Sequence, residues 1–98
     1  MKLSIGLITY NEEKNLARTL DSIIEIANEI VIVDSGSTDK TLGIADRYSA
    51  SVYSEDWKGY GMQKNSVIEK CSGEWILLID ADEEISKELR NKIKEIIS

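Results

Sequence analysis

The sequence predicts an α/β fold, a Rossmann-like three-layer αβα arrangement around a mainly parallel sheet of about four strands. Short apolar runs alternate with segments whose apolar residues recur at helical spacing, in the order βαβαβαβα. The apolar runs are nearly continuous, which is typical of parallel strands covered by helices on both faces. The length of 98 residues suits one such unit, so residues 1–98 are predicted to form a single domain.

The first half of the chain contains two predicted strand–helix pairs. Residues 3–8 form an apolar run that predicts strand 1, and residues 11–27 predict a helix with acidic side chains in its first turn. Residues 29–33 are rich in β-branched side chains and predict strand 2. A polar turn then offers capping side chains to a helix over residues 40–48.

The second half repeats the pattern twice. Residues 50–53 predict a weaker strand 3, residues 55–61 a loop, and residues 62–71 a helix. Residues 75–79 are almost entirely apolar and predict strand 4. Ser86 is then predicted to cap the last helix.

The composition excludes several classes of function. The net charge of −6 leaves no basic patch for nucleic acid. The absence of histidine excludes a Ser-His-Asp triad, and the single cysteine excludes an intrachain disulfide and a four-ligand thiolate zinc site. Any metal would therefore have oxygen ligands, as Mg²⁺, Mn²⁺ and Ca²⁺ prefer. No apolar run reaches the roughly 20 residues of a membrane span, and the chain opens on a strand instead of a leader, so we expect a cytoplasmic protein.

Polar clusters follow strands 1, 2 and 4, where open parallel sheets bind their ligands. Asp80 and Asp82 come directly after strand 4. Two carboxylates at this spacing could turn toward one divalent cation that bridges a diphosphate. Acidic residues before a helix are also favoured by the helix dipole alone, so the pair by itself leaves both interpretations open.

The clusters after strands 1 and 2 are equally ambiguous one at a time. Asp34 could accept a hydrogen bond from a base or ribose, or it could simply begin a turn. Tyr10 could stack on a base and Glu12 could bond a nucleotide, or Asn11 could merely cap the following helix.

Cations and aromatic rings complete the set of candidates. There is no glycine-rich phosphate loop, so a diphosphate would have to be met by a metal and by cations such as Lys64 or Arg47. Lysines on helices are more often solvated surface residues. Trp57 either anchors its loop by packing or faces a ligand.

Taken together, the motifs resemble the inverting glycosyltransferases of family 2, which have the GT-A fold. The matching stretches are residues 8–12, 32–39, 63–65 and 79–83, and the resemblance covers almost the whole chain. Residues 60–65 followed by Asp-Ala-Asp-Glu look closest to the lipopolysaccharide-core β-glucosyltransferases. The resemblance implies metal-dependent, inverting transfer from a nucleotide-diphosphate sugar, with UDP-sugars favoured, to a glycan or lipid-linked acceptor.

The resemblance also implies roles for residues near the nucleoside and the diphosphate. Thr9, Tyr10 and Glu12 match the motif that holds the nucleoside, and Asp34 matches the aspartate that bonds the base. Lys64 matches a basic position near the diphosphate.

The D-x-D pair of the family corresponds to Asp80 and Asp82. Asp82 is expected to bind Mn²⁺ or Mg²⁺, and Asp80 to share the metal site and approach the ribose and sugar. No catalytic residue is predicted, because Glu83 and Glu84 are the only nearby acids and neither suits the role of general base.

Members of the family continue for another hundred or more residues, which carry the acceptor site and the general base. We therefore expect this chain to be a nucleotide-sugar-binding domain that is truncated relative to the family. Self-association or a partner chain could supply the acceptor half, and peripheral association with the inner face of the membrane would fit such a role. The alternative is a non-catalytic nucleotide-binding or interaction module.

Overall fold

Four strands and four helices alternate along residues 2–98, the part of the chain that the computed structural model describes. Their order confirms the predicted α/β class. The elements are β1 (Leu3–Thr9), α1 (Leu16–Ile23), β2 (Glu29–Asp34), α2 (Thr41–Arg47), β3 (Ser51–Ser54), α3 (Tyr60–Lys70), β4 (Trp75–Leu78) and α4 (Lys87–Ile97).

All paired strands are parallel, and the strand order is β3-β2-β1-β4. The chain moves outward from β1 to β3 and then returns to the other side of β1 to form β4. In such sheets the ligand crevice lies at this reversal, outside the carboxyl ends of the strands. Here it falls between the ends of β1 and β4.

The sheet separates two apolar layers of unequal size. The larger core packs β1 side chains at positions 3, 5 and 7 against α1, α2 and the last helix. On the opposite face, Val67 of α3 packs against Val31 and Val33 of β2. A Cβ atom at Gly6 would lie 2.4 Å from Cγ1 of Val67, so glycine permits the close approach of α3 to the sheet. This arrangement is the predicted three-layer αβα fold.

The structure corrects two expectations. α1 begins at Leu16 and not at residue 11, because the amides of residues 11–13 donate to side chains of the loop after β2 and of Thr41, the first residue of α2, instead of starting a helix. β4 is an edge strand, so its apolar residues are not all covered: Trp75 and Ile76 are about 40% exposed. None of the helices within residues 2–98 is long and apolar enough to cross a membrane.

Candidate functional site

The carboxylate of Asp34 organises the loop that follows β2. Its Oδ1 accepts hydrogen bonds from the hydroxyls of Thr9 (2.7 Å) and Ser37 (2.6 Å). Its Oδ2 accepts from the backbone amides of Gly36 (3.0 Å) and Ser37 (2.8 Å). A carboxylate has about four lone-pair positions, so partners within the chain fill all of them.

The electrostatics of Asp34 follow from these bonds. The residue is completely buried. Burial would raise the pKa of the carboxyl, but the hydrogen bonds from Ser37, Thr9 and Gly36 outweigh it and hold the pKa below its ordinary value of 3.8. Asp34 is therefore a charged anchor for the loop, and the Thr9 side chain predicted to hold the nucleoside is engaged with it.

A second set of hydrogen bonds joins the loops after β1 and β2. The amide of Asn11 donates to Ser37 Oγ, and the Asn11 carbonyl oxygen Oδ1 accepts from the Thr38 amide, both at 2.8 Å. The amide of Glu12 donates to Thr41 Oγ1, also at 2.8 Å. Asn11 adopts a positive φ of 50° in this turn. Tyr10 and Glu12 are thus placed by a cross-linked pair of loops instead of by a helix start.

An open cleft lies between the carboxyl ends of β1 and β4. Its volume is about 400 Å³ and it is lined by Ile8, Glu12, Tyr60, Lys64, Asp80, Ala81 and Asp82. Four predicted site residues from three separate parts of the chain therefore come together here. Three are carboxylates and one is an ammonium group, so the cleft suits a cation better than a bare anion.

Aromatic rings line the continuation of this cleft. A cavity of about 250 Å³ contacts Thr9, Tyr10, Glu12, Trp57 and Tyr60, and a more apolar one of about 330 Å³ contacts Tyr10, Ser35, Trp57 and Tyr60. The rings of Trp57 and Tyr60 meet edge to face, with centroids 4.8 Å apart. Because the cavities share lining residues, they form one groove with an aromatic end and an acidic end.

Most predicted site residues lie along this groove. Tyr10, Glu12, Lys64, Asp80 and Asp82 line it directly. Thr9 contributes to the lining although it is largely buried, whereas Asp34 lies beneath the adjacent loop.

Of the two remaining candidates, Arg47 lies outside the groove and Trp57 lies in it. Arg47 lies in the last turn of α2 and does not line the groove. Trp57, whose role the sequence left open, lines the aromatic end and is 52% exposed.

Sequence reasoning did not single out Tyr60 or Ser35 for the groove. Tyr60 was part of a predicted loop but begins α3, and it lines both ends of the groove. Ser35 accepts a hydrogen bond at 3.2 Å from the buried Gln63 of α3. The sequence features that could have indicated these two residues are the glycines on either side of Tyr60 and the Asp-Ser-Gly-Ser turn that contains Ser35.

The chemistry of the acidic end fits a divalent cation bound together with phosphates. Within residues 2–98, no three Asp, Glu or Cys side chains converge on a common metal position. The exposed pair Asp80 and Asp82 nevertheless matches the donor set of many Mg²⁺ sites, in which one or two carboxylates bind the ion and substrate phosphates and water complete its coordination.

The sheet order and the groove define a doubly wound α/β protein whose groove lies at the reversal of strand order, where sheets of this kind bind their ligands. Comparison with known proteins then identifies the family. The family model described as glycosyl transferase family 2 matches residues 4–97. The chain belongs to this family.

Two of the sequence relatives are glycosyltransferases of about three times this length. An uncharacterized glycosyltransferase of Rickettsia conorii is 43% identical over 97 residues, which are 99% of this chain and 34% of that protein. The lipopolysaccharide core biosynthesis glycosyltransferase LpsC of Rhizobium meliloti is 40% identical over 103 residues, covering 100% of this chain and 38% of LpsC.

Solved structures share the fold. S. aureus TarS superposes with a TM-score of 0.79 at 30% identity, over 99% of this chain and 32% of TarS, and a TarS structure in complex with UDP gives 0.77 at 29% identity with the same coverage. Glucosyl-3-phosphoglycerate synthase of Mycobacterium tuberculosis, in complex with Mn²⁺, UDP and glucosyl-3-phosphoglycerate, gives 0.71 at 28% identity, over 82% of this chain and 33% of that one.

Proposed function

We propose that this chain is the donor-binding part of a glycosyltransferase and holds a nucleotide-diphosphate sugar in the groove. The observation that carries the proposal is the continuity of the groove from aromatic rings to carboxylates. A nucleoside needs flat apolar contacts, and a diphosphate needs positive charge. The aromatic end offers flat apolar contacts directly, and the acidic end would offer positive charge through Lys64 and a bound cation.

The aromatic end is proposed to hold the nucleoside, with uridine favoured. Tyr10 and Trp57 offer faces on which a base can stack. We propose that Asp34 serves this site through the Ser35–Gly36–Ser37 loop, which its carboxylate holds in place. The direct contact with the base that the family resemblance implies would require the base to replace one of the present donors, such as the Ser37 hydroxyl.

The acidic end is proposed to hold the diphosphate and the cation. Phosphates beside Glu12, Asp80 and Asp82 would meet like charge unless a divalent cation lay between them. The synthase in complex with both Mn²⁺ and UDP supports this use of the site within the fold. When bound, the cation would supply positive charge that stabilises the departing diphosphate.

The transfer itself is proposed to be a single displacement at the anomeric carbon, with inversion. We assign no general base among the described residues near the cleft. The two nearest further acids are already engaged within the chain. Glu83 Oε1 accepts a hydrogen bond from the Asp80 amide at 2.7 Å, and Glu84 Oε1 lies 3.8 Å from Arg18 Nε. Because the chain spans about a third of the curated relatives, the acceptor site and base are proposed to come from a further part of the polypeptide or from a partner chain. The name of LpsC favours a glycan acceptor of the lipopolysaccharide core.

Calorimetric titration with UDP, in Mg²⁺ and in EDTA, tests the proposal. We expect Mg²⁺ to tighten UDP binding about tenfold or more, and Asp82→Asn to abolish that gain. In EDTA the variant should bind UDP at least as tightly as the wild type, because it has one fewer negative charge beside the phosphates. Asp46→Asn, the same change at an exposed site on α2, is the control and should behave as the wild type. Absence of UDP binding at millimolar concentration, or a gain from Mg²⁺ that survives in Asp82→Asn, would refute the proposed site.

A further inference from the structure

The loop that carries the D-x-D pair is tied to α1 by buried hydroxyls. We call residues 79–86, between β4 and α4, the acidic loop. Thr19 Oγ1 donates to the backbone carbonyl of Ala81 at 2.9 Å, and Thr19 is completely buried. The amide of Ile85 donates to Ser22 Oγ, also at 2.9 Å. Both ends of the acidic loop are therefore held by one helix that contributes no lining residue to the acidic cleft.

The position of the Thr19 bond matters because Ala81 separates the two aspartates. The Ala81 methyl group is buried in the larger core, so both its side chain and its carbonyl face away from solvent. Asp80 and Asp82 are exposed and line the cleft. The Ala81 carbonyl belongs to the peptide that joins Ala81 to Asp82, so holding it restrains the backbone from which the Asp82 side chain leaves.

A third residue closes the arrangement from α4. Arg90 Nη1 donates to the carbonyl oxygens of Ser22 (3.2 Å) and Ile85 (3.0 Å). These bonds join α1, the end of the acidic loop and α4. Within the loop, the Asp80 carbonyl accepts from the Glu83 amide at 3.0 Å, so a turn forms immediately after Asp80. The loop is thus bonded at its start, middle and end.

From this geometry we infer that Thr19 is a positioning residue for the metal site, because it holds the peptide that joins Ala81 to Asp82. The inference rests on the proposed function and deepens it. A divalent cation binds tightly only where its ligands are held close to their final geometry. Without the Thr19 hydroxyl, the Ala81 carbonyl would be buried without this donor, and the loop would move to hydrate it.

Thr19→Val tests the inference because it keeps the side-chain shape and removes the hydroxyl. The readout is Mn²⁺ affinity in the presence of saturating UDP, measured from the EPR signal of free Mn²⁺. Loss of a group that orients metal ligands typically weakens metal binding by about 10–100-fold, and we expect about tenfold. Thr19→Ser keeps the donor and should restore affinity to within about twofold of the wild type. UDP affinity in EDTA should not change in either variant.

The outcomes separate this inference from the proposed function. If Thr19→Val folds and binds Mn²⁺ as tightly as the wild type, the positioning role is wrong and the metal site stands. If the wild type itself binds UDP but no Mn²⁺, both the positioning role of Thr19 and the proposed metal site are wrong. Should Thr19→Val fail to fold, Thr19→Ala removes the same hydroxyl with a smaller side chain, and unchanged Mn²⁺ affinity in that variant would equally overturn the inference.

Discussion

Two substitutions of Asp34 should distinguish the loss of its hydrogen-bond acceptor from the loss of its negative charge. Asp34→Ala removes the acceptor of four hydrogen bonds, two of them from backbone amides. Asp34→Asn keeps an acceptor. Its carbonyl oxygen can face the amides of Gly36 and Ser37, while its NH₂ group faces the hydroxyls of Thr9 and Ser37, which can rotate to accept.

The expected loss of stability in Asp34→Ala follows from the amides of Gly36 and Ser37, because the hydroxyls of Thr9 and Ser37 can find other partners more easily. Hydrogen bonds to a charged acceptor contribute about 1.5–3 kcal/mol each, so losing two should destabilise Asp34→Ala by about 3–6 kcal/mol. Asp34→Asn loses mainly the charge assistance, and we expect about 1–2 kcal/mol. A chain of 98 residues has a total stability of about 5–15 kcal/mol, so the alanine variant should lose a large share of its free energy of unfolding.

Urea denaturation followed by circular dichroism measures these differences. The exposed Asp46→Asn is the matched control and should stay within about 0.5 kcal/mol of the wild type. The reasoning fails if Asp34→Ala costs less than about 1 kcal/mol, or if Asp34→Asn is as damaging as alanine. A folded Asp34→Asn that has lost UDP affinity would instead indicate the direct contact with the base.

The stability difference between the wild type and Asp34→Asn should depend on pH with a definite sign. The folded-state pKa of Asp34 lies below its ordinary value of 3.8, so its contribution to stability is fully present well above pH 3.8 and is lost as the pH falls through the lowered value. The stability difference between the wild type and Asp34→Asn should therefore narrow from neutral pH to about pH 3. A difference that stays constant over this range would contradict the charged state of the buried carboxylate.

Two further predictions concern packing and the aromatic end of the groove. Gly6→Ala would place a Cβ 2.4 Å from Val67 Cγ1 and 2.8 Å from Leu78 Cδ2, so urea denaturation should show a loss of about 1–3 kcal/mol. Gly43→Ala, in open space on α2, should instead stabilise by up to about 1 kcal/mol, and equal effects would contradict the close approach of α3. Trp57→Ala should weaken UDP binding about tenfold, since stacking on an aromatic ring contributes about 1–3 kcal/mol per base. Trp75→Ala on the edge strand should leave UDP affinity unchanged, and the titration would refute the aromatic site if both variants bound alike.

Local patterns in the sequence predicted most of the fold. Apolar runs predicted four strands, the third more weakly than the others, and a helix-forming segment after each strand predicted parallel pairing. Ser86 caps α4 as expected, accepting from the Leu89 amide at 3.1 Å. The start of α1 was missed because the amides of residues 11–13 bond to side chains of residues 37–41, a contact between segments about 27 positions apart.

The candidate site could be anticipated only in part. The rule that ligands bind at the carboxyl ends of parallel strands directed attention to Glu12, Asp34 and Asp80, and two of these three line the groove. Trp57 and Tyr60 come together from a loop and a helix start, so their contact depends on how the chain packs there. Thr19 carried no signal, because a threonine on a helix becomes informative only when a loop lies on it.

By itself, the sequence determined the order of the elements, the parallel sheet, the absence of histidine chemistry and the family, because these depend on residue type and on short-range periodicity. Only the tertiary structure decided that β4 lies beside β1 at an edge and that Asp34 is saturated by hydrogen bonds from Thr9 of β1 and from its own loop. It also decided that α1 holds the acidic loop. These features depend on contacts between distant segments, which form only when the helices pack on the sheet, and local pattern does not encode which polar groups that packing brings together.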